Sequence, residues 1–229
     1  MATKKKAISK KLIIAIILLA ILAIATAAIV YTIQTSSPKP IVPGVHVGDT
    51  FIYKLTGDSY LNSSEAVTPS YLSEYNNTDY YQVTITGING STVSFITDWR
   101  FINGTIIQTP EWVDIANGNN SGDFWAIYPP NLNVNNLLSP KGYDELIVNS
   151  TATQTFAGST RSINHWEIDN VFYDVNDPTY STQRYDIMSV DFDKQTGILD
   201  TLINVQEYNS PQYNIIITWQ LTNSTVWGV

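Results

Sequence analysis

The chain has 229 residues and no cysteine, with 12 Lys and Arg against 20 Asp and Glu. Five lysines precede residue 12 and every acidic residue follows residue 33, so the remainder has seven basic and 20 acidic residues, a net charge of −13. The lack of cysteine excludes disulfides, a thiolate nucleophile and cysteine-ligated zinc. The acidity opposes binding to nucleic acid.

The first predicted element is an uncharged apolar run over residues 12–33. As a helix it would be about 33 Å long at ~1.5 Å per residue, enough to cross the ~30 Å hydrocarbon core of a bilayer. The lysine-rich segment 1–11 favours the cytoplasmic side. We therefore expect a single-pass protein of the cell membrane, with the lipid bilayer as the partner of residues 12–33 and the C-terminal domain outside the cell.

Two other interpretations of this segment stay open. Ala25-Thr26-Ala27 and Ala23-Ile24-Ala25 are small-x-small sites that a signal peptidase could cleave, which would give a secreted domain. Alternatively, residues 5–9 resemble the short basic leader that archaeal pilins lose, and cleavage after Ala7 would leave the apolar helix as a filament core. Lys10 and Lys11 oppose the pilin interpretation because a packed helix would have to bury them.

The sequence next predicts a proline-rich linker over residues 34–46 and an extracellular β domain over residues 47–229. A strand is predicted over 51–55, followed by a polar loop over 62–77 in which residues 66–75 are the alternative for a short helix. Residues 81–88 alternate between apolar and polar. Asn89-Gly90, in a predicted type I′ turn, and Asn103-Gly104 then connect this strand to runs over 93–101 and 106–113, which predicts an antiparallel meander.

The pattern is less regular in the middle of the chain. Residues 117–123 form a turn cluster, residues 124–128 are aromatic and end at Pro129-Pro130, and the segment 124–139 fits either a helix or a loop. Further strands are predicted over 145–148, 151–156 and 162–168, with a loop over 174–180. Clearer strands follow over 185–192, 198–208 and 215–221, the first two joined by a tight turn over 193–197 with Gly197 at positive φ.

No segment after residue 33 shows sustained helical periodicity. The predicted fold class is therefore mainly β: an N-terminal transmembrane helix followed by an antiparallel β-sheet domain, either a half-barrel or a sandwich.

Seven Asn-x-Ser/Thr sequons follow the apolar run, and an exterior location would make them candidates for glycosylation. Two of them occupy predicted turn tips, where a glycan could project without clashing. The candidates are Asn62, Asn76, Asn89, Asn103, Asn119, Asn149 and Asn223.

The sequence predicts no catalytic, cofactor-binding or metal site. His165 has carboxylates nearby in sequence but reads as a structural histidine, and His46 lies in the linker. Paired carboxylates (Asp144 with Glu145, Asp191 with Asp193) are of a type used in acid–base chemistry, but their spacing does not distinguish that role from solvated turn residues. Asp174, Asn176 and Asp177 offer oxygen ligands that Ca²⁺ accepts, but they lack the EF-hand series and fit Asx-turn chemistry. The six tryptophans could line a groove, although most are expected in the core.

Three motifs together resemble uncharacterised archaeal surface proteins with an N-terminal membrane segment and a β-rich exterior domain. They are the opening Val47-Gly48-Asp49-Thr50-Phe51-x-Tyr53, the central Phe124-Trp125 with its following prolines, and the hairpin Phe192-Asp193-Lys194-Gln195-Thr196-Gly197-Ile198-Leu199. The hairpin is also similar to one in curved sheets of the lipoprotein-carrier type, which hold a lipid in a half-barrel. This resemblance implies a curved sheet and says little about function.

The expected function is non-enzymatic binding or structural interaction at the cell surface, with an envelope lipid or glycan as the partner. A pilin-type filament subunit and a surface hydrolase are the alternatives. The sequence defines no oligomeric state.

Overall fold

A computed structural model describes residues 40–143, 145–156, 158–174, 179 and 181–227, and residues from Ile41 onward form one compact unit. One short helix, α1 (Leu72–Asn76), accompanies nine strands. The strands are β1 (Thr50–Leu61), β2 (Thr78–Asn89), β3 (Thr92–Phe101), β4 (Ile106–Asp114), β5 (Ser150–Phe156), β6 (Ser159–Tyr173), β7 (Gln183–Asp193), β8 (Leu199–Asn209) and β9 (Gln212–Ser224).

All nine strands belong to one open antiparallel sheet with the order β4-β3-β2-β1-β9-β8-β7-β6-β5. This order consists of two meanders, β1 to β4 and β5 to β9, which are joined where the first strand pairs with the last. The mainly β prediction and the predicted meander through β2, β3 and β4 are therefore confirmed. β1 pairs with β9 from Phe51 to Leu61 but with β2 only from Thr50 to Tyr53, so β1 and β2 separate beyond Tyr53.

The main core lies on one face of this sheet. Alternate residues of the strands point to this face, as the period of two in a pleated strand requires. In β1 they are Phe51, Tyr53 and Leu55, which are at most 2% exposed. The long connector between β4 and β5 covers the same face and supplies the other half of the core, with buried residues Ile115, Phe124, Ala126, Ile127, Tyr128, Leu132, Leu138 and Val148.

The first Asn-Gly hairpin differs from its prediction. Asn89 pairs with Thr92, so the two loop residues are Gly90 and Ser91, and only Gly90 has a positive φ (61°). A type I′ turn centred on Asn89-Gly90 would need both of them left-handed, so that prediction is wrong by one residue. In the second hairpin Gly104 has φ 87° and its N–H bonds the Phe101 carbonyl, as in a three-residue loop closed by a left-handed glycine.

The turn between β7 and β8 is built on the Asp193 carboxylate. Its Oδ1 accepts hydrogen bonds from the backbone N–H of Gln195 and of Thr196 and from the Thr196 hydroxyl. Gly197 has φ 77°, which confirms the predicted conformation, and a Cβ there would lie 1.9 Å from the Tyr128 carbonyl oxygen. Glycine at this position is therefore required twice, by the backbone conformation and by the close approach of the connector.

Two local predictions are corrected, and one alternative that the sequence left open is decided. The strand predicted over 145–148 is not formed, because Ile147 makes only an isolated bridge to Leu137. The polar segment 62–77 includes the helix α1 near its end, whose Leu72 packs on Ile215 and Ile217. Residues 124–139 form no helix; they follow the apolar face of the sheet as irregular chain and bury their aromatic side chains there.

The edge strand β4 exposes little free backbone. Its odd-numbered residues bond to β3, so the N–H and C=O groups of Ile106, Gln108, Pro110, Trp112 and Asp114 point outward. Pro110 has no N–H to offer. Residues 119–121 return along the outer side of Trp112 and Asp114 and bond to both of their backbones.

The predicted cytoplasmic tail, the predicted transmembrane run 12–33 and residues 34–39 of the linker lie outside the described residues. Among the residues from 40 onward that the structure describes, no helix is long and apolar enough to cross a membrane.

Candidate functional site

A cavity of about 170 Å³ opens on the core-bearing face of the sheet, between α1 and the start of the connector. Strands β7, β8 and β9 form its base. The lining residues are Tyr75, Asp123, Phe124, Trp125, Ala126, Met188, Leu199, Leu202, Asn204, Ile217 and Trp219.

Burial is graded from the base of the cavity to its rim. Phe124, Ala126, Leu199, Leu202 and Ile217 are at most 9% exposed and form an apolar base. Tyr75, Trp125, Met188 and Trp219 are half-buried, and Asp123 is exposed at the rim. The cavity therefore leads from water, past half-buried aromatic rings, into an apolar interior.

The Glu111 carboxylate holds the connector in place at the rim. Glu111 lies on the inner face of β4, where its Oε2 accepts a hydrogen bond of 3.0 Å from the Phe124 N–H and its Oε1 accepts one of 3.0 Å from the Thr97 hydroxyl. A Cβ on Gly122 would lie 2.2 Å from Oε2, so only glycine lets the chain pass this close. These contacts fix where Asp123, Phe124 and Trp125 enter the cavity wall.

The aromatic walls are braced by neighbouring rings. The Trp219 ring lies 4.8 Å from Tyr81 and 6.1 Å from Phe124, and the Trp125 ring lies 6.1 Å from Trp166. Contacts of this kind hold indole rings in fixed orientations. The half-buried rings of Trp125 and Trp219 are therefore part of the packed core, and their position does not depend on a bound molecule.

The rim carries one carboxylate beside a phenol. Burial raises the pKa of the Tyr75 hydroxyl above its usual value, and the nearby charge of Asp123 raises it further. Asp123 itself makes no hydrogen bond or ion pair with any residue that the structure describes. Its charge is thus directed to the cavity mouth and the solvent.

The other polar side chain in the lining, Asn204, is already satisfied by the sheet. Its Nδ2 donates to the Asp186 carboxylate and, at 3.4 Å, to the Ile187 carbonyl, while its Oδ1 accepts a hydrogen bond of 2.8 Å from Gln206. The cavity interior therefore presents few free hydrogen-bonding groups to an occupant.

A larger groove of about 460 Å³ lies where β6 and β8 end and β7 and β9 begin. Its cation, Arg184, stacks 4.5 Å from the Phe172 ring centroid and pairs with Asp186 at 3.4 Å. The arginine charge is thus already neutralised within the domain.

The structure brings His165 beside a carboxylate. His165 Nδ1 lies 2.8 Å from Asp191 Oδ1, and Ser150 is the cross-strand neighbour of His165 on the other side. The row Ser150, His165 and Asp191 has the residue types of a hydrolase triad, but the Ser150 hydroxyl makes no hydrogen bond to the His165 ring, and the three residues line neither of the two cavities described above.

A buried cluster of charges lies at the same end of β6, β7 and β8. Arg161 forms a two-bond ion pair with Asp193, at 2.8 and 3.1 Å. Asp200 is fully buried, and neither of its carboxylate oxygens has a hydrogen-bond partner. Burial, and then the charges of Asp193 and Asp191, raise the pKa of Asp200 to about 8, against an opposing effect of Arg161.

The glycosylation candidates differ in what their side chains do. Asn76 is engaged with β1, because its Oδ1 accepts from the Gly57 N–H at 3.0 Å and its Nδ2 donates to the Gly57 carbonyl at 2.6 Å. Asn103 and Asn149 use Oδ1 to accept backbone N–H groups, of Thr105 and Glu167. The remaining sequon residues, Asn62, Asn89, Asn119 and Asn223, are exposed.

The calcium candidates are only partly placed, since Asn176 and Asp177 lie outside the described residues, as does Asp144 of the paired carboxylates. Within the described ranges no three His, Asp or Glu side chains are grouped so that they could hold a metal ion.

No family model, curated protein or solved structure matches the chain.

The sequence predicted most of the six tryptophans in the core, with a groove as the alternative. Trp166 and Trp227 are buried, Trp99, Trp125 and Trp219 are half-buried against the core, and Trp112 is exposed. Trp125 and Trp219 line the cavity. It missed Asp123 and Glu111. The sequence pattern at both residues was weak. Asp123 is a lone acidic residue in a turn cluster, and Glu111 is a glutamate at an inward-facing position of a predicted strand.

Proposed function

We propose that the chain is a non-enzymatic binding protein, held at the membrane by residues 12–33, whose exterior domain takes an apolar group of an envelope lipid into the cavity beside α1. The observation that carries the proposal is the apolar base of that cavity, which is lined also by the two half-buried tryptophans Trp125 and Trp219.

The composition of the lining favours an apolar group over a glycan. A sugar needs many donors and acceptors around its hydroxyl groups, because burying a hydroxyl without a partner costs about 1–3 kcal/mol. The lining offers few polar groups: the Asp123 carboxylate, the Tyr75 hydroxyl, two indole N–H groups and Asn204, which is already bonded to its neighbours. At about 30 Å³ for each water-sized group, 170 Å³ holds roughly six such groups, which suits a short alkyl segment.

We also propose that the sheet is a half-barrel and not a sandwich. Two features support this shape: all nine strands lie in one hydrogen-bonded sheet, and the connector covers the apolar face where a second sheet would pack in a sandwich.

A surface hydrolase is the second candidate, and the row Ser150, His165 and Asp191 is the observation that favours it. It ranks lower because catalysis of acyl transfer needs a cleft and oxyanion donors near the serine. If a fluorophosphonate labelled the protein, and this labelling were lost in Ser150→Ala and in His165→Asn, the hydrolase would be the better interpretation.

The binding proposal can be tested with the full chain reconstituted in lipid nanodiscs. The probe is 6-bromohexanol, because bromine quenches tryptophan fluorescence on contact, and methyl glucoside serves as the sugar competitor. We expect saturable quenching that methyl glucoside does not reverse.

Two variants make this test specific. Trp125→Ala should abolish most of the saturable quenching, whereas Trp112→Ala, which removes an exposed tryptophan of β4, should leave it intact. Quenching that rises linearly with probe in every variant would refute the apolar site. Reversal by methyl glucoside would show that the site binds sugars.

A further inference from the structure

We infer that the cavity beside α1 selects amphiphiles with a cationic head, such as a primary or quaternary alkylammonium, over neutral and anionic amphiphiles of the same chain length. This inference rests on the proposed apolar site and names the chemical class that it prefers.

The first support is the free charge at the rim. Asp123 is exposed at the cavity mouth and unpaired within the described part of the chain. The three described arginines are each paired with another acid, Asp79, Asp193 or Asp186. No arginine of the described domain therefore neutralises the Asp123 carboxylate, which is free to meet a ligand cation.

The second support is the aromatic wall below that charge. Tyr75, Trp125 and Trp219 line the cavity, and all three are half-buried, with part of each ring open to the solvent. The face of an aromatic ring is negative and attracts an alkylammonium group, most strongly when the ring is an indole. An ammonium at the rim would thus meet a carboxylate on one side and aromatic rings on the other.

The third support is the order of these features along the cavity. The aliphatic residues Leu199, Leu202 and Ile217 lie at the base, and the charged and aromatic residues lie at the mouth. An alkylammonium matches this order with its chain inward and its head outward. An alkyl carboxylate or phosphate would bring its charge against Asp123, so repulsion would weaken binding.

The test compares three probes that share one chain: 6-bromohexylammonium, 6-bromohexanol and 6-bromohexanoate, each titrated into the full chain in uncharged nanodiscs with tryptophan quenching as the readout. We expect the ammonium to bind about tenfold more tightly than the alcohol, and the carboxylate more weakly than the alcohol. Added salt should reduce the advantage of the ammonium because it screens an exposed charge.

Asp123→Asn should remove most of the difference in affinity between the ammonium and the alcohol. Asp58→Asn is the matched control, since Asp58 is an exposed carboxylate of β1 outside the cavity and its loss should change nothing. Equal binding of all three probes, or selectivity that survives in Asp123→Asn, would overturn the cationic inference while leaving the apolar site standing. If none of the three probes bound, the proposed function itself would fail.

Discussion

The buried carboxyl of Asp200 predicts a domain that loses stability as pH rises. Asp200 lies at a β-bulge between β7 and β8, fully buried, with neither oxygen hydrogen-bonded. Its pKa is raised from 3.8 to about 8 in the folded chain. Between these two values the folded state keeps a proton that the unfolded state releases, so the contribution of Asp200 is fully present below about pH 4 and is lost as pH rises through about 8.

The magnitude follows from the size of this pKa difference. Each pH unit in that window lowers the free energy of unfolding by about 1.4 kcal/mol through this one group. Over the whole window of about four units the loss is about 5 to 6 kcal/mol, comparable with the total stability of many domains.

The perturbation is Asp200→Asn, which keeps the shape and removes the ionisation. Urea unfolding of the full chain in nanodiscs, followed by tryptophan fluorescence at pH 5, 6, 7 and 8, gives the free energy of unfolding of both proteins. We expect the variant to gain on the wild type by about 1.4 kcal/mol per pH unit from pH 5 to 7, and by less between pH 7 and 8 as the folded carboxyl itself ionises. Parallel pH profiles for the two proteins would refute the reasoning, and Asp58→Asn, at an exposed carboxylate, should give a profile parallel to wild type.

Three further substitutions test contacts around the connector and the charge cluster. Gly197→Ala should cost at least about 3 kcal/mol and lower the melting temperature strongly, because its Cβ would strike the Tyr128 carbonyl, whereas Gly90→Ala, with an open turn around it, should cost about 1 kcal/mol. Glu111→Ala should lower the free energy of unfolding in urea by about 2 kcal/mol, because the buried Phe124 N–H loses its acceptor. The same change should weaken quenching by 6-bromohexanol. Unchanged binding would show that other contacts hold the rim. Arg161→Ala should lower the free energy of unfolding by about 3 to 5 kcal/mol, because it leaves the Asp193 charge buried without its cation. Arg100→Ala, at the exposed pair with Asp79, should lower it by under about 1 kcal/mol. Equal losses of stability in thermal melts would contradict this ranking.

The strands were predictable because their signals are local. Alternation over residues 81–88 and left-handed glycines at Gly104 and Gly197 define hairpins without reference to the rest of the chain. Residues 145–148 have an apolar pattern of strand type but no neighbouring strand to pair with beyond the bridge at Ile147. Pairing is a property of the whole sheet, and the pattern of one segment does not determine it.

The site was less predictable because its residues are distant in sequence. Tyr75, Trp125 and Trp219 come from a helix, a connector and the last strand, and the pairing of β1 with β9 is needed to bring them together. The unpaired state of Asp123 and the burial of Asp200 are likewise consequences of packing. No spacing rule in the sequence distinguishes these two aspartates from the solvated acidic residues around them.

The backbone of β4 bears on how this protein behaves when many copies stand side by side on one surface. A bare strand edge invites the edge of a neighbouring molecule, and sheets that continue from chain to chain grow into fibres. Pro110 and the returning residues 119–121 leave β4 only a short stretch at Ile106 and Gln108 for such pairing. Pairing between the β4 edges of crowded copies is therefore limited to that short stretch, too short for a sheet that continues from chain to chain.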